Sequence, residues 1–226
     1  MQITEIYRSI QGESSFAGMP CTFVRLTACN LRCTWCDSEY TFTGGKKMSA
    51  EEVEREVLSL SPSGLVEFTG GEPMLQEREL LPLMERLIAQ GYTLLLETSG
   101  ERPLERVPAA VHKIVDVKCP GSGEGGTFHL ANLQTLTSRD EVKFVLSGRQ
   151  DYEFARDFTR EHDLETNTGG VIFSPVFAKV PSTERDTSNC ELDPRVLTEW
   201  ILQDKLNVRL GLQMHKFIWP PATKGV

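Results

Sequence analysis

The sequence predicts one α/β domain of repeated strand–helix units, either an open partial (β/α) barrel or a doubly wound sheet. Short apolar runs alternate with amphipathic stretches along most of the chain, the pattern of parallel βαβ units with right-handed crossovers. Six or so such units can be counted, too few for a closed eight-fold barrel. Polar or glycine-rich turns follow the apolar runs at "TGGEP", "ETSG", "DVKCPGSG", "SPV" and "QMHK". In such folds ligands gather at the carboxyl ends of the strands, so one shared pocket is the economical arrangement.

Residues 21–28, "CTFVRLTA", are rich in strand formers and run directly into a cysteine loop. Residues 48–61 read as a helix, with Ser49 and Glu52 spaced as a capping box. Residues 64–73, "GLVEFTGGEP", form a strand entering a glycine turn. Helical periodicity returns over 77–91, with Gly91 as the stop. Pro82 is tolerated in the first turn, so that helix is expected to start near Glu79. Strands are expected over 92–100, 112–123, 140–148 and 169–176, with a helix over 151–163. A further helix opens at Asp193-Pro194, a cap followed by proline at the first helical position. The last strand is expected over 207–217, "NVRLGLQMHKF", which puts His215 at a strand end. Residues 177–192 have the weakest pattern and read as a variable surface loop. No repeat, low-complexity tract or linker divides residues 1–226.

The chain of 226 residues is 39% hydrophobic and 25% charged, as expected of a soluble globular domain with a full core. A net charge of -8 leaves no basic footprint for nucleic acid. No apolar run approaches the roughly 18 residues of a membrane span. The opening "MQITEIYRSIQGE" is too polar for a signal peptide. A cytoplasmic location is therefore expected, where clustered cysteines serve metal or redox chemistry more often than disulfides.

Cys29, Cys33 and Cys36 are spaced by three and then two residues. A structural zinc site takes four protein ligands, commonly from separated pairs, and disulfides use thiols in twos. Three thiolates from one loop can instead hold three irons of a cubane cluster and leave the fourth open to a cofactor. With Trp35 before the last cysteine and "GGEP" (70–73) at a strand end, the pattern resembles the radical S-adenosylmethionine enzymes. Adding "YRSIQGES" (7–14), "FVRLTACNLRCTWCDS" (23–38), "EFTGGEPMLQ" (67–76), "LETSG" (96–100) and "LQMHKFIW" (212–219), the chain is similar to the 7-carboxy-7-deazaguanine synthase family over almost its whole length.

That resemblance implies an open (β/α)6-type barrel in a single domain, carrying a 4Fe-4S cluster on Cys29, Cys33 and Cys36. It implies S-adenosylmethionine on the fourth iron, Mg2+, and an external one-electron donor of the flavodoxin or ferredoxin kind. The implied substrate is 6-carboxy-5,6,7,8-tetrahydropterin. Its C6 hydrogen passes to a 5′-deoxyadenosyl radical, the ring contracts, ammonia leaves, and hydrogen returns so that adenosylmethionine is regenerated. A homodimer is implied, with no nucleic-acid or membrane partner.

Site residues follow by position. The segment of about residues 1–20 is expected to bind substrate, with Ile10, Gln11, Gly12 and Glu13 against the pterin edge; an amide and a carboxylate match its donors and acceptors. Arg25 lies in an apolar strand, and a buried guanidinium needs an anion: the substrate carboxylate, held bidentately, or an internal salt bridge. Thr69 and His215 are the other expected substrate contacts. Trp35, Asp37, Gly71, Glu72, Ser99, Asp116 and Lys118 are expected around adenosylmethionine. Ser38 stands where relatives place a threonine on magnesium and offers the same hard oxygen, or else it caps a turn. Cys21 is expected in the core, Cys119 beside the pocket, and Cys190 away from both. The rival readings are a glycyl-radical-enzyme activase, which shares the cysteine spacing, and a non-catalytic zinc module.

Overall fold

The computed structural model describes residues 1–61, 64–178, 184–220 and 223–225. Its strands, in chain order, are β1 (Gln2–Ile10), β2 (Pro20–Leu26), β3 (Lys46–Lys47), β4 (Leu65–Gly70), β5 (Thr93–Thr98), β6 (His112–Asp116), β7 (Glu141–Leu146), β8 (Gly170–Pro175) and β9 (Arg209–Leu210). They form one sheet in the order β3-β1-β2-β4-β5-β6-β7-β8-β9. From β2 through β9 every pairing is parallel, while β1 runs antiparallel to β2 and β3 antiparallel to β1. The outermost strands do not meet, so the sheet stays open, the arrangement of a partial barrel.

Helices α1 (Ala50–Leu60), α2 (Glu77–Ala89), α3 (Arg149–Glu161), α4 (Leu164–Asn167) and α5 (Pro194–Asp204) follow strands on the outer side. α1 starts as its sequence signals: the Glu52 amide donates to Ser49 Oγ at 3.2 Å, and the Ser49 amide to the Glu52 carboxylate at 2.7 Å. Asp193 caps α5 by accepting from the Arg195 amide at 2.8 Å. None of the described helices is long and apolar enough to cross a membrane.

Side chains alternate between the two sheet faces with period two. Val24, Leu26, Val66, Phe68, Leu94, Leu96, Val115, Phe144 and Phe173 point outward into a large apolar core shared with Val53, Leu80, Leu83, Leu87, Tyr152 and Leu197 of the helices. The inward positions begin apolar at the amino ends of the strands, where Cys21, Phe23, Leu65, Leu95 and Ile114 pack with Tyr7 and Phe16. The connection between β1 and β2 floors this interior. The Ser15 amide donates to Glu141 at 3.0 Å, and Phe16 sets its ring edge-on to His112 at 5.0 Å.

Three expectations change, and one long strand is new. A strand precedes residue 21: β1 is mostly half-buried, and its polar Thr4, Glu5 and Arg8 mask the alternation. α2 starts at Glu77, so Pro82 lies inside it rather than in its first turn. The missing amide costs the Arg78 carbonyl its internal partner, and burial of Leu80, Leu81, Leu83 and Met84 on either side overrides that loss. The strand expected over 207–217 shrinks to β9, and His215–Ile218 forms a helical turn, α6. A strand would point His215 and Lys216 to opposite faces, whereas the turn brings both to one cavity. Of the loop expected over 177–192, residues 179–183 lie outside the described residues. The rest is not all surface: Phe177 and Leu192 are buried, and Phe177 bridges Cys190.

Candidate active site

Toward the carboxyl ends of the strands the inward positions turn polar: Arg25 on β2, Glu67 and Thr69 on β4, Glu97 on β5, Asp116 on β6 and Lys143 on β7. They surround a cavity of about 270 Å³, near the lower end of the roughly 300–1,000 Å³ usual for small-molecule sites. The cysteine loop, the β1–β2 connection and α6 form its rim.

The cysteine loop is clamped from two sides. The Gly71 amide donates to the Leu26 carbonyl at 3.1 Å and the Glu72 amide to the Ala28 carbonyl at 2.8 Å. A Cβ on Gly70 would stand 2.2 Å from the Leu26 oxygen, and one on Gly71 2.0 Å from the Ala28 oxygen. The two glycines of "GGEP" therefore let the β4 turn press against the start of the loop. On the other side Thr34 donates its amide to the Ser122 carbonyl at 2.9 Å and its hydroxyl to the Gly121 carbonyl at 3.0 Å.

Cys29, Cys33 and Cys36 are free, half-buried thiols lining the same cavity. Burial raises all three, Cys33 to about 11, so without iron they hold their protons; a cluster has to ionise them as it binds. Among the described residues no three His, Cys, Asp or Glu side chains converge as single-ion ligands. A cluster that gives each thiolate its own iron does not require that convergence. Cys21 and Cys119 are buried in core clusters, and Cys190 is half-buried.

Of the residues expected around adenosylmethionine, Trp35, Asp37, Gly71, Ser99, Asp116 and Lys118 line the cavity. Glu72 does not. Its carboxylate accepts from the Met74 amide at 3.0 Å, the Thr98 hydroxyl at 2.7 Å, and the Ser99 amide and hydroxyl at 2.9 and 2.7 Å. With four donors already on it and 1% exposure, the Glu72 carboxylate ties the end of β4 to the end of β5. Lys118 pairs with Asp116 Oδ2 at 3.0 Å, while Asp116 Oδ1 is buried with no partner among the described residues. Asp116 lines the cavity wall, and a ligand hydroxyl or amine that reached Oδ1 would satisfy it.

The expected substrate residues Ile10, Gln11, Gly12, Glu13, Arg25, Thr69 and His215 all line the cavity. Arg25 has an internal partner and still faces the cavity: its Nε donates to Glu5 at 2.9 Å and an Nη to the Tyr7 hydroxyl at 2.8 Å. The Tyr40 hydroxyl braces the same Glu5 at 2.8 Å. Gly12 makes room for His215, since a Cβ there would lie 2.2 Å from the imidazole Nδ1. The Gly12 carbonyl accepts from the Met214 amide at 2.8 Å, which closes the N-terminal segment onto the C-terminal one. Burial pushes the His215 imidazole below its ordinary value, toward the neutral form. Ser38 lines the cavity with its hydroxyl donating to Asp37 at 3.0 Å, and the other Asp37 oxygen takes Lys216 at 2.8 Å.

Sequence reasoning missed Tyr7, Tyr40, Glu67, Glu97, Lys143 and Lys216. Lys143 meets Glu13 at 2.8 Å, Asp116 at 3.7 Å, and Glu97. Burial pushes the Glu13 carboxyl upward, but Lys143 and His215 outweigh it and bring Glu13 down to about 2. Glu67 goes the other way. It is 2% exposed and accepts from the Gln11 amide, and burial, Glu97 and Glu13 hold its carboxyl well above the usual range. The signal that singled out Arg25, a charge within an apolar strand, was equally present at Glu67 in "LVEF" and Lys143 in "VKFV".

The model of the radical SAM superfamily matches residues 24–119, which contain the cysteine loop and the glycine turn. The chain is 67% identical to a 7-carboxy-7-deazaguanine synthase of Koribacter versatilis over 226 residues, all of both chains. It is 40% identical to the 7-carboxy-7-deazaguanine synthase of Chlorobaculum tepidum, covering 100% of this chain and 97% of that one. Among solved structures, QueE from Escherichia coli superposes with a TM-score of 0.73 at 23% identity, covering 95% of this chain and 94% of that one, which shows a shared fold. By its identity over full length, its cysteine loop and its fold, this chain belongs to the 7-carboxy-7-deazaguanine synthase family of radical SAM enzymes.

Proposed function

We propose that the chain converts 6-carboxy-5,6,7,8-tetrahydropterin to 7-carboxy-7-deazaguanine with loss of ammonia, on the route to queuosine and related 7-deazapurines. One observation carries the reading: the three cluster cysteines open onto the same cavity as Gln11, Glu13 and Arg25, so a small anionic ring can lie beside the cluster. A 4Fe-4S cluster with adenosylmethionine supplies, when bound, the means to take a hydrogen atom from an unactivated carbon. The protein's part is to bind, orient and exclude water.

Arg25, braced by Glu5 and Tyr7, presents guanidinium donors to the substrate carboxylate. Gln11 and Glu13, with the backbone at Ile10 and Gly12, face the pterin edge. Thr69 and the neutral His215 complete the substrate side. Gly71, Ser99, Trp35, Asp37, Asp116 and Lys118 form the adenosylmethionine side, with Asp116 Oδ1 a buried acceptor that lacks a partner among the described residues. Ser38, whose hydroxyl now donates to Asp37, would hold Mg2+ as a hard oxygen ligand, an ion that takes few protein ligands. An external flavodoxin- or ferredoxin-like donor, a homodimer and a reducing cytoplasm belong to the same reading.

Anaerobic reconstitution followed by incubation with adenosylmethionine, reductant, Mg2+ and the carboxypterin tests it. The deazapurine is expected as product, with Ser38→Ala flattening the response to magnesium and Ser38→Thr keeping it. Hydrogen-atom chemistry confined to a partner protein's glycine, with the carboxypterin untouched, would establish the activase reading instead.

A further inference from the structure

Lys143 is the hub of the polar interior. It rises from the middle of β7 on the inward face and is 4% exposed. Its ammonium touches carboxylates from three different parts of the chain: Glu13 of the β1–β2 connection at 2.8 Å, Glu97 of β5, and Asp116 of β6 at 3.7 Å. Each carboxylate carries the contact further. Glu13 accepts from Gln213 at 2.7 Å, Glu97 from the Thr69 hydroxyl at 3.3 Å, and Asp116 pairs with Lys118 at 3.0 Å. The hub therefore has one arm on the Glu13 and Thr69 side of the cavity and another on the Asp116 and Lys118 side.

We propose that Lys143 is a positioning residue that couples the two halves of the cavity, so that a ligand on Glu13 and Glu97 organises Asp116 for the second ligand, and the reverse. This rests on the assignment of those halves to carboxypterin and adenosylmethionine made above. The coupling follows from the charges. Lys143 and Lys118 are two ammoniums for three carboxylates, and the share of Lys143 is unequal, with Asp116, which Lys118 also holds, at the longest distance. A ligand that supplies donors to Glu13 or Glu97 relieves their claim on the ammonium and frees it toward Asp116. That fixes the Asp116 carboxylate, whose Oδ1 has no partner among the described residues. A donor on that oxygen from the other side acts back through the same ammonium, as linkage requires. Burial works against the charge on Lys143, but Glu13, Glu97 and Asp116 hold its proton well beyond the ordinary lysine range. It thus acts as a fixed charge and does not give up a proton when ammonia leaves.

The test is the affinity of the reconstituted, unreduced holoenzyme for adenosylmethionine, measured with and without saturating carboxypterin. In the parent protein carboxypterin is expected to tighten adenosylmethionine about five-fold or more, the lower end of ordinary coupling between sites. Lys143→Arg should keep most of that ratio. Lys143→Met should bring it to about one, with iron content unchanged. Asp116→Asn keeps Lys143 with Glu13 and Glu97 and cuts only one arm. It should lose the ratio in the same way, and it decides the matter if Lys143→Met does not fold. A role confined to holding the fold would weaken both ligands and leave the ratio intact. The parent ratio persisting in Asp116→Asn, or in a folded Lys143→Met, overturns the inference, as does a parent protein that binds both ligands with no mutual effect. A parent protein that binds no carboxypterin overturns the functional reading instead.

Discussion

The two faces of a single strand make the sharpest contrast in this molecule. Along β7, Val142, Phe144 and Leu146 point to the helices with no exposure, while Glu141 and Lys143 point inward at 1% and 4%. Burial is nearly equal and the chemistry is opposite. Outward residues stabilise by leaving water, an effect that needs no particular partner. The inward charges lose hydration and recover it only through specific partners: Lys143 from three acids, Glu141 from His112 and Ser15. The outer face folds the chain, and the inner face is held ready for ligands at some cost to stability. Burial alone does not tell core from site here; strand parity taken with position along the strand does.

The largest effect should come at the mouth of the inner face. Cys33→Ala removes one of three thiolates and is expected to abolish cluster binding and product formation together, while Cys190→Ala changes neither. Iron content decides this, and full iron in the Cys33 variant would sink the cluster assignment. Phe144→Ala probes the outer face, where a fully buried ring meets Phe154, Phe158 and Phe173. It should cost about 3–5 kcal/mol of folding stability, while the fraction still folded binds ligands as before. A folded Phe144→Ala with unaltered melting but weakened ligand binding would invert the contrast.

Two finer changes act within the inner face. Arg25→Lys keeps the charge and loses the planar fork; it should weaken carboxypterin binding by about 1.5–3 kcal/mol and adenosylmethionine binding much less. Equal weakening of both would mean that the Glu5 salt bridge is the whole of its role. Glu67→Gln should stabilise the protein. Burial, together with the charges of Glu97 and Glu13, outweighs Lys143 and Arg25 and raises the native Glu67 carboxyl well above its ordinary value. The unfolded chain therefore releases this proton first, and the group's contribution to stability falls as pH rises above that value. The variant should melt with the parent in acid and later than it at neutral pH, the gap opening as pH rises. A variant less stable at neutral pH would show that Glu67 is ionised and well paired.

The cysteine loop was legible because its meaning lies in local spacing, and the strand ends because hydrophobic period and turn chemistry are local too. Arg25 was legible as a charge that no apolar strand tolerates without a partner. Glu67 and Lys143 carried the same mark, but the partners that give them meaning lie 56 and 130 residues away in sequence, at Gln11 and Glu13. The bonds of the Glu72 side chain were not legible, because a motif names a residue without saying which way its side chain turns; four donors at the ends of β4 and β5 draw its carboxylate away from the cavity. His215 was placed on a strand because "NVRLGLQ" reads as one, whereas the Gly12 carbonyl and the Glu13 and Asp37 side chains, all distant in sequence, draw residues 213–216 into a turn.

The most direct test of the whole account follows one hydrogen atom. Carboxypterin carrying deuterium at C6 is incubated anaerobically with the reconstituted enzyme, adenosylmethionine, Mg2+ and reductant. If the inner face holds that carbon against the cofactor, deuterium appears in the recovered adenosylmethionine as the deazapurine accumulates. Deuterium that stays entirely on the pterin while unlabelled 5′-deoxyadenosine builds up would contradict it, because the cavity would then hold some other substrate.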